Sequence, residues 1–132
     1  MALPITALYA GPLALLILYL AFSVVGMRRK GKVILGDGGN KLLECRIRGH
    51  ANACETIPIA LILLGLSEGM GAPAWVLHIL GLMLLIGRVM HGIHFQQIRG
   101  GITLRFYGMI LTILAIALMA ISVFTHALLG IG

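Results

Sequence analysis

Two short stretches hold the residues whose types and spacing could do chemistry. In CRIRGHANACETIP, Cys45 to Pro58, Arg48, Asn52 and Glu55 recur at i, i+4 and i+7, so one helix face would carry a cation, an amide and a carboxylate. In GRVMHGIHF, Arg88, His91 and Phe95 fall at i, i+3 and i+7. Such a set can cradle a small molecule bearing both signs of charge, form a buried ion pair that fixes helix register, or pass a proton through the carboxylate.

The surrounding chain is built for lipid. Of its 132 residues 60% are hydrophobic and 11% charged, and the mean hydropathy is +1.06. Four segments are long enough to cross a ~30 Å hydrocarbon core at ~1.5 Å per residue: about Leu3 to Gly26, Lys41 to Leu66, Ala74 to Phe95 and Leu104 to Leu129. The expectation is a single all-α membrane domain over residues 1–132, a four-helix bundle with both termini on one side. The first segment shows no small-residue cleavage pattern before MRRKGK and is expected to be a retained span.

Charge placement gives the topology. Arg28, Arg29, Lys30, Lys32, Lys41, Arg46 and Arg48 cluster between the first two apolar runs, and Arg99 and Arg105 flank the loop between spans three and four. Both basic loops are therefore expected in the cytoplasm and both termini outside, which makes the net charge of +6 a topological signal and leaves nucleic acid out of the partners. Asn40 ends the turn cluster LGDGGN as an N-cap for the second helix, and Pro73 suits the start of the third. Cys45 and Cys54 lie too far apart on one helix to bridge and lack metal-ligand spacing, so no metal is expected.

Depth ties the two polar stretches together. The apolar run after Glu55, Ile57 to Leu66, spans only ~15 Å, so the second helix must enter the bilayer near residue 47 and take Arg48, Asn52 and Glu55 with it. Counted from the outer ends of the two antiparallel helices, Glu55 lies ~17 Å in, Asn52 and Arg88 ~21 Å, and Arg48 and His91 ~26 Å. Charges at such depths face a bundle interior or a wet cavity. The depths predict a Glu55–Arg88 pair, with Arg48, Asn52 and His91 rimming a cavity open to the cytoplasm and Pro58 bending the helix just below it.

The pattern Arg48-x-His50-x-Asn52-x-x-Glu55-x-x-Pro58, followed by Arg88-x-x-His91, resembles the MAPEG family, the membrane-associated proteins in eicosanoid and glutathione metabolism, and above all its small bacterial members. The resemblance implies a homotrimer in a bacterial inner membrane that binds glutathione as co-substrate near the cytoplasmic face. The implied chemistry is conjugation of the thiol to a lipophilic electrophile or reduction of a lipid hydroperoxide. Carried over by position, Arg48, Asn52, Glu55, Arg88 and His91 would hold glutathione, Arg28 or Arg29 would reach one of its carboxylates, and Arg105 would approach the thiol. His50, Phe95 and Tyr107 are further candidates; many members carry tyrosine at the place of Phe95.

Elementary chemistry agrees with that set. Glutathione has two carboxylates and one ammonium, which call for several cations and an anion. A guanidinium beside sulfur favours the reactive thiolate. The apolar second substrate, or a membrane lipid, would enter along the groove between helices one and four. Three other functions stay open on the residues: a noncatalytic lipid-binding or scaffold protein of the same fold, a small proton-coupled exporter using Glu55, and a haem carrier using His50 and His91 on one side with His78 and His126 on the other.

Overall fold

A computed structural model describes residues 2–97 and 102–130. It contains four helices: α1 (Pro4–Gly31), α2 (Lys41–Gly69), α3 (Ala74–Phe95) and α4 (Ile102–Leu129). All four are long and apolar enough to cross a membrane, and the protein is an integral membrane four-helix bundle. Arg99, counted above among the loop cations, lies outside the described residues.

Several of the described helix ends follow local chemistry. Asn40 caps α2 as expected, its Oδ1 accepting from Leu42 N at 3.0 Å and Leu43 N at 3.1 Å. Pro73 occupies the N-cap position of α3. Helix α1 continues past Gly26 through Arg28, Arg29 and Lys30, because these straight-chain residues favour helix, and it stops where Lys32 turns left-handed at φ 52°. At the start of α1, as at that of α3, the N-cap residue makes no side-chain capping bond. Glu68, at the far end of α2, supplies the cap: its carboxylate accepts from Ile5 N at 2.9 Å, Thr6 N at 2.7 Å and Thr6 Oγ1 at 2.6 Å.

Packing places α2 and α3 at the centre. They touch each other and each touches both α1 and α4, whereas α1 and α4 make no contact among the described residues. The core joins Leu13 and Leu20 of α1, Ala53, Ile57, Ala60 and Leu64 of α2, Leu77, Leu80 and Leu84 of α3, and Ala115 and Met119 of α4. Glycines set the closest approach: a Cβ on Gly87 would stand 2.8 Å from Gly108 O and 2.9 Å from Thr112 Oγ1, so α3 and α4 meet backbone to backbone at the depth of Arg88. Gly81 makes the corresponding room for the ring of Tyr9, whose hydroxyl lies 3.0 Å from His78 Nδ1.

Two outward faces result. That of α3 is wholly apolar, with Ile79, Leu82, Ile86, Val89 and Ile93 exposed in one helical stripe. That of α2 is apolar toward its C-terminal end, at Ile59, Ile62 and Leu66, and carries the exposed Glu55 nearer its N-terminal end. The expected groove between α1 and α4 is accordingly not a contact between those helices; they stand on either side of the α2–α3 pair.

Candidate functional site

The halves of α2, α3 and α4 nearest the basic loops form a cavity of about 410 Å³ lined by Arg48, Asn52, His91, Phe95, Ile102, Arg105, Phe106 and Met109. Helix α2 presents Arg48 and Asn52 one turn apart, and α3 presents His91 and Phe95 one turn apart, as their spacing predicts. Helix α4 adds Arg105 on the same face as Ile102, Phe106 and Met109, an i, i+3, i+4, i+7 set that makes one wall apolar. The Arg105 guanidinium carbon stands 5.5 Å from the centre of the Phe95 ring, and that ring packs on His91 at 4.9 Å between centroids.

Arg88 stands behind this cavity rather than in it. It is fully buried, and it donates to Asn52 Oδ1 at 2.9 Å while its other terminal nitrogen lies 3.2 Å from His91 Nδ1. Because a guanidinium only donates, Nδ1 must accept, and the hydrogen of a neutral His91 is then on Nε2. The same logic orients Asn52: its oxygen is taken by Arg88, so its amide nitrogen is the group left for a ligand. Arg88 Nε is buried without a hydrogen-bond partner.

The expected Glu55–Arg88 pair does not form. Glu55 is exposed and absent from the cavity lining. The depth match was sound but the rotation was not: α2 buries Ala53, Ile57, Ala60 and Leu64, and at ~100° per residue Glu55 lies ~160° around the helix from Ala53. Asn52, nearer the buried face, takes the arginine instead. The sequence set therefore divides. Arg48, Asn52, His91, Phe95 and Arg105 converge, and Arg88 orients two of them.

The other candidates lie elsewhere. Glu55 points to the outer face of α2. His50 is half-buried, with Nε2 3.4 Å from the exposed Cys54 Sγ. Tyr107 is exposed on another face of α4 and leans on Phe106, ring centres 5.5 Å apart. Arg28 and Arg29 line a separate depression beside the first loop. Sequence reasoning missed the apolar wall of Ile102, Phe106 and Met109, although its helical spacing was visible.

Chemically the cavity is a donor-rich bowl with an apolar side. Two guanidiniums, the Asn52 amide and the His91 ring N–H suit an anionic or acceptor-bearing ligand, and the α4 wall suits a hydrocarbon. Among the described residues no carboxylate lines it. A thiolate beside Arg105 and carboxylates near Arg48 fit this donor set; an ammonium would need an acceptor from outside the lining.

The family model described as the MAPEG family matches residues 6–125. The chain is 42% identical over 116 residues to the inner membrane protein YecN in each of two Escherichia coli strains, an alignment that spans 84% of this chain and 88% of the relative. No solved structure is significantly similar. With four spans, a polar cavity between α2, α3 and α4, and a family match over nearly its whole length, the chain belongs to the MAPEG family.

Proposed function

We propose that this protein is a membrane-bound glutathione transferase or peroxidase of the inner membrane, with its basic loops in the cytoplasm and both termini outside. The observation that carries the reading is the placement of Arg105, whose guanidinium sits over Phe95 in the lining of a cavity that also holds Arg48, Asn52 and His91. A free thiol titrates near pH 8.5, and an adjacent fixed cation favours its ionised, nucleophilic form at neutral pH. Arg105 is the catalytic group in this scheme. Arg48 binds a carboxylate, Asn52 and His91 donate to the peptide, and Arg88 is a positioning residue. The thiolate attacks the electrophilic carbon of a lipophilic substrate that rests on Ile102, Phe106 and Met109, expelling its leaving anion or adding across an activated double bond. With a hydroperoxide it attacks one oxygen, the O–O bond breaks, the alkoxide leaves as the alcohol after taking a proton, and a second glutathione converts the sulfenic acid to disulfide and water.

A homotrimer belongs to the same reading. Glu55 on the outer face of α2 is costly toward lipid, by ~2.5 to 3.5 kcal/mol for a charge near a helix centre, so that face is best covered by further copies of the chain. In such an assembly Glu55 is available for the ammonium.

One observation favours a second reading. The place of a tyrosine in many relatives is taken by Phe95, so Arg105 meets a ring face and no hydroxyl; a noncatalytic lipid-binding protein on this fold would tolerate that loss.

The deciding experiment is a glutathione titration of the detergent-purified protein, followed by thiolate absorbance in the ultraviolet, beside Arg105→Leu. Saturable thiolate in the wild type and none in the variant is expected. A folded wild type that forms no thiolate overturns the enzymatic reading in favour of the noncatalytic one.

A further inference from the structure

A second depression, of about 460 Å³, lies beside the first loop and is lined by Val25, Arg28, Arg29, Lys32, Val33 and Ile34. We propose that it is a binding site for the phosphodiester headgroup of an anionic phospholipid in the leaflet that the basic loops face. The inference does not depend on the function proposed for the first cavity.

Five observations lead to it. The lining holds three cations and no acidic residue, and the buried Arg28 Nε has no hydrogen-bond partner. The site is built rather than loose: Arg28 Nη1 donates to Ile34 O at 3.0 Å and Val33 N bonds Arg28 O at 3.0 Å, which folds the loop back over the end of α1. Lys32 holds a left-handed backbone at φ 52°, a conformation that favours glycine. A lysine at that position brings its charge to the depression despite a backbone preference against it. Finally, Ile34 and Leu35 are 95% and 86% exposed next to these cations.

Exposed isoleucine and leucine beside arginines at the end of a membrane helix have one environment that suits both, the boundary between headgroups and acyl chains. Basic pockets at helix ends on the cytoplasmic side recognise anionic headgroups, with ~1 kcal/mol per basic residue near the surface. A lipid phosphate would lie among Arg28, Arg29 and Lys32, with its chains descending past Val25. Glutathione lacks the hydrocarbon that Val25, Val33 and Ile34 would cover.

The test uses the full chain in a zwitterionic detergent. Thermal unfolding is followed while short-chain phosphatidylglycerol, phosphatidylcholine, inorganic phosphate or glutathione is added. Lys32→Gly combined with Arg29→Gln removes two cations while easing the loop backbone, so the variant folds, and Arg29→Lys with Lys32→Arg keeps the charges. Phosphatidylglycerol is expected to raise the wild-type transition more than phosphatidylcholine or phosphate does. Its affinity should fall about 30-fold in the first variant, the equivalent of ~1 kcal/mol for each cation, and hold in the second. Equal responses to the two lipids, or an unchanged response in the charge-removed variant, overturns the proposal. A response to phosphate or glutathione alone that the first variant abolishes also overturns it, by giving the depression to a soluble ligand.

Discussion

Replacing Arg88 with methionine should leave the protein folded while weakening its ligand. The guanidinium makes two hydrogen bonds, to Asn52 and His91, and bonds to a charged donor contribute ~1.5 to 3 kcal/mol each. Against this stand the desolvation of a fully buried cation with no carboxylate at hand, a cost of several kcal/mol, and the orphaned Nε at ~1 to 3 kcal/mol. The two sides nearly cancel, and methionine fills much of the arginine stem's volume, so unfolding in detergent should shift by no more than ~1 kcal/mol. Binding is another matter. Without Arg88 the His91 ring is free to carry its hydrogen on Nδ1, and the Asn52 amide is free to turn its oxygen toward the ligand. One lost donor corresponds to about tenfold in affinity, or ~1.4 kcal/mol. Nitrogen NMR on labelled His91 would report the tautomer directly, alongside the glutathione titration. Loss of more than ~3 kcal/mol of stability would show that Arg88 holds the bundle together, and unchanged affinity with an unchanged tautomer would refute its orienting role.

Phe95→Tyr places a hydroxyl beside Arg105 and His91, and should raise glutathione affinity about fivefold, one hydrogen bond of ~1 kcal/mol, in the same titration. Glu68→Gln removes the charge that caps α1 while keeping an acceptor, and should cost about 1 kcal/mol of stability, read as a lowered melting temperature, without changing ligand affinity. Gly87→Ala forces a methyl group into Gly108 O and the Thr112 hydroxyl, so α4 must move off α3. The expected result is reduced yield of folded protein and a lost glutathione response, whereas Gly11→Ala, with nothing within 4 Å, should behave as wild type.

Much of this architecture is legible in the sequence because membrane helices obey a short list of constraints. Apolar length gave the four spans, Asn40 the start of α2, and the i, i+4 and i, i+3 spacings brought Arg48 and Asn52 to His91. Rotation was less legible. In water the buried side of a helix announces itself by polarity; in lipid the core and the solvent are equally apolar, so α2 gave little sign that Ala53 and Ile57 face inward and Glu55 outward. Small residues were the better guide, since Gly49 and Ala53 share the buried side with Ala60. The cap on α1 was hidden for a different reason: it comes from Glu68, more than sixty residues from the amides it serves.

That cap bears on how the protein enters the membrane. The first turn of α1 emerges from the ribosome with its Ile5 and Thr6 amides unanswered, and their acceptor is made only when the chain has crossed back and reached Glu68. Closing that cap therefore requires α1 and α2 to pair as a hairpin, with Glu68 of one set against Ile5 and Thr6 of the other. Helices α3 and α4, joined at Gly87 and Gly108, form a second hairpin, and the cavity exists only where the two are brought together, with Arg48 and Asn52 from one and His91 and Arg105 from the other. A chain halted after Glu68 should already hold its first two helices in their final register, and would have no ligand site at all.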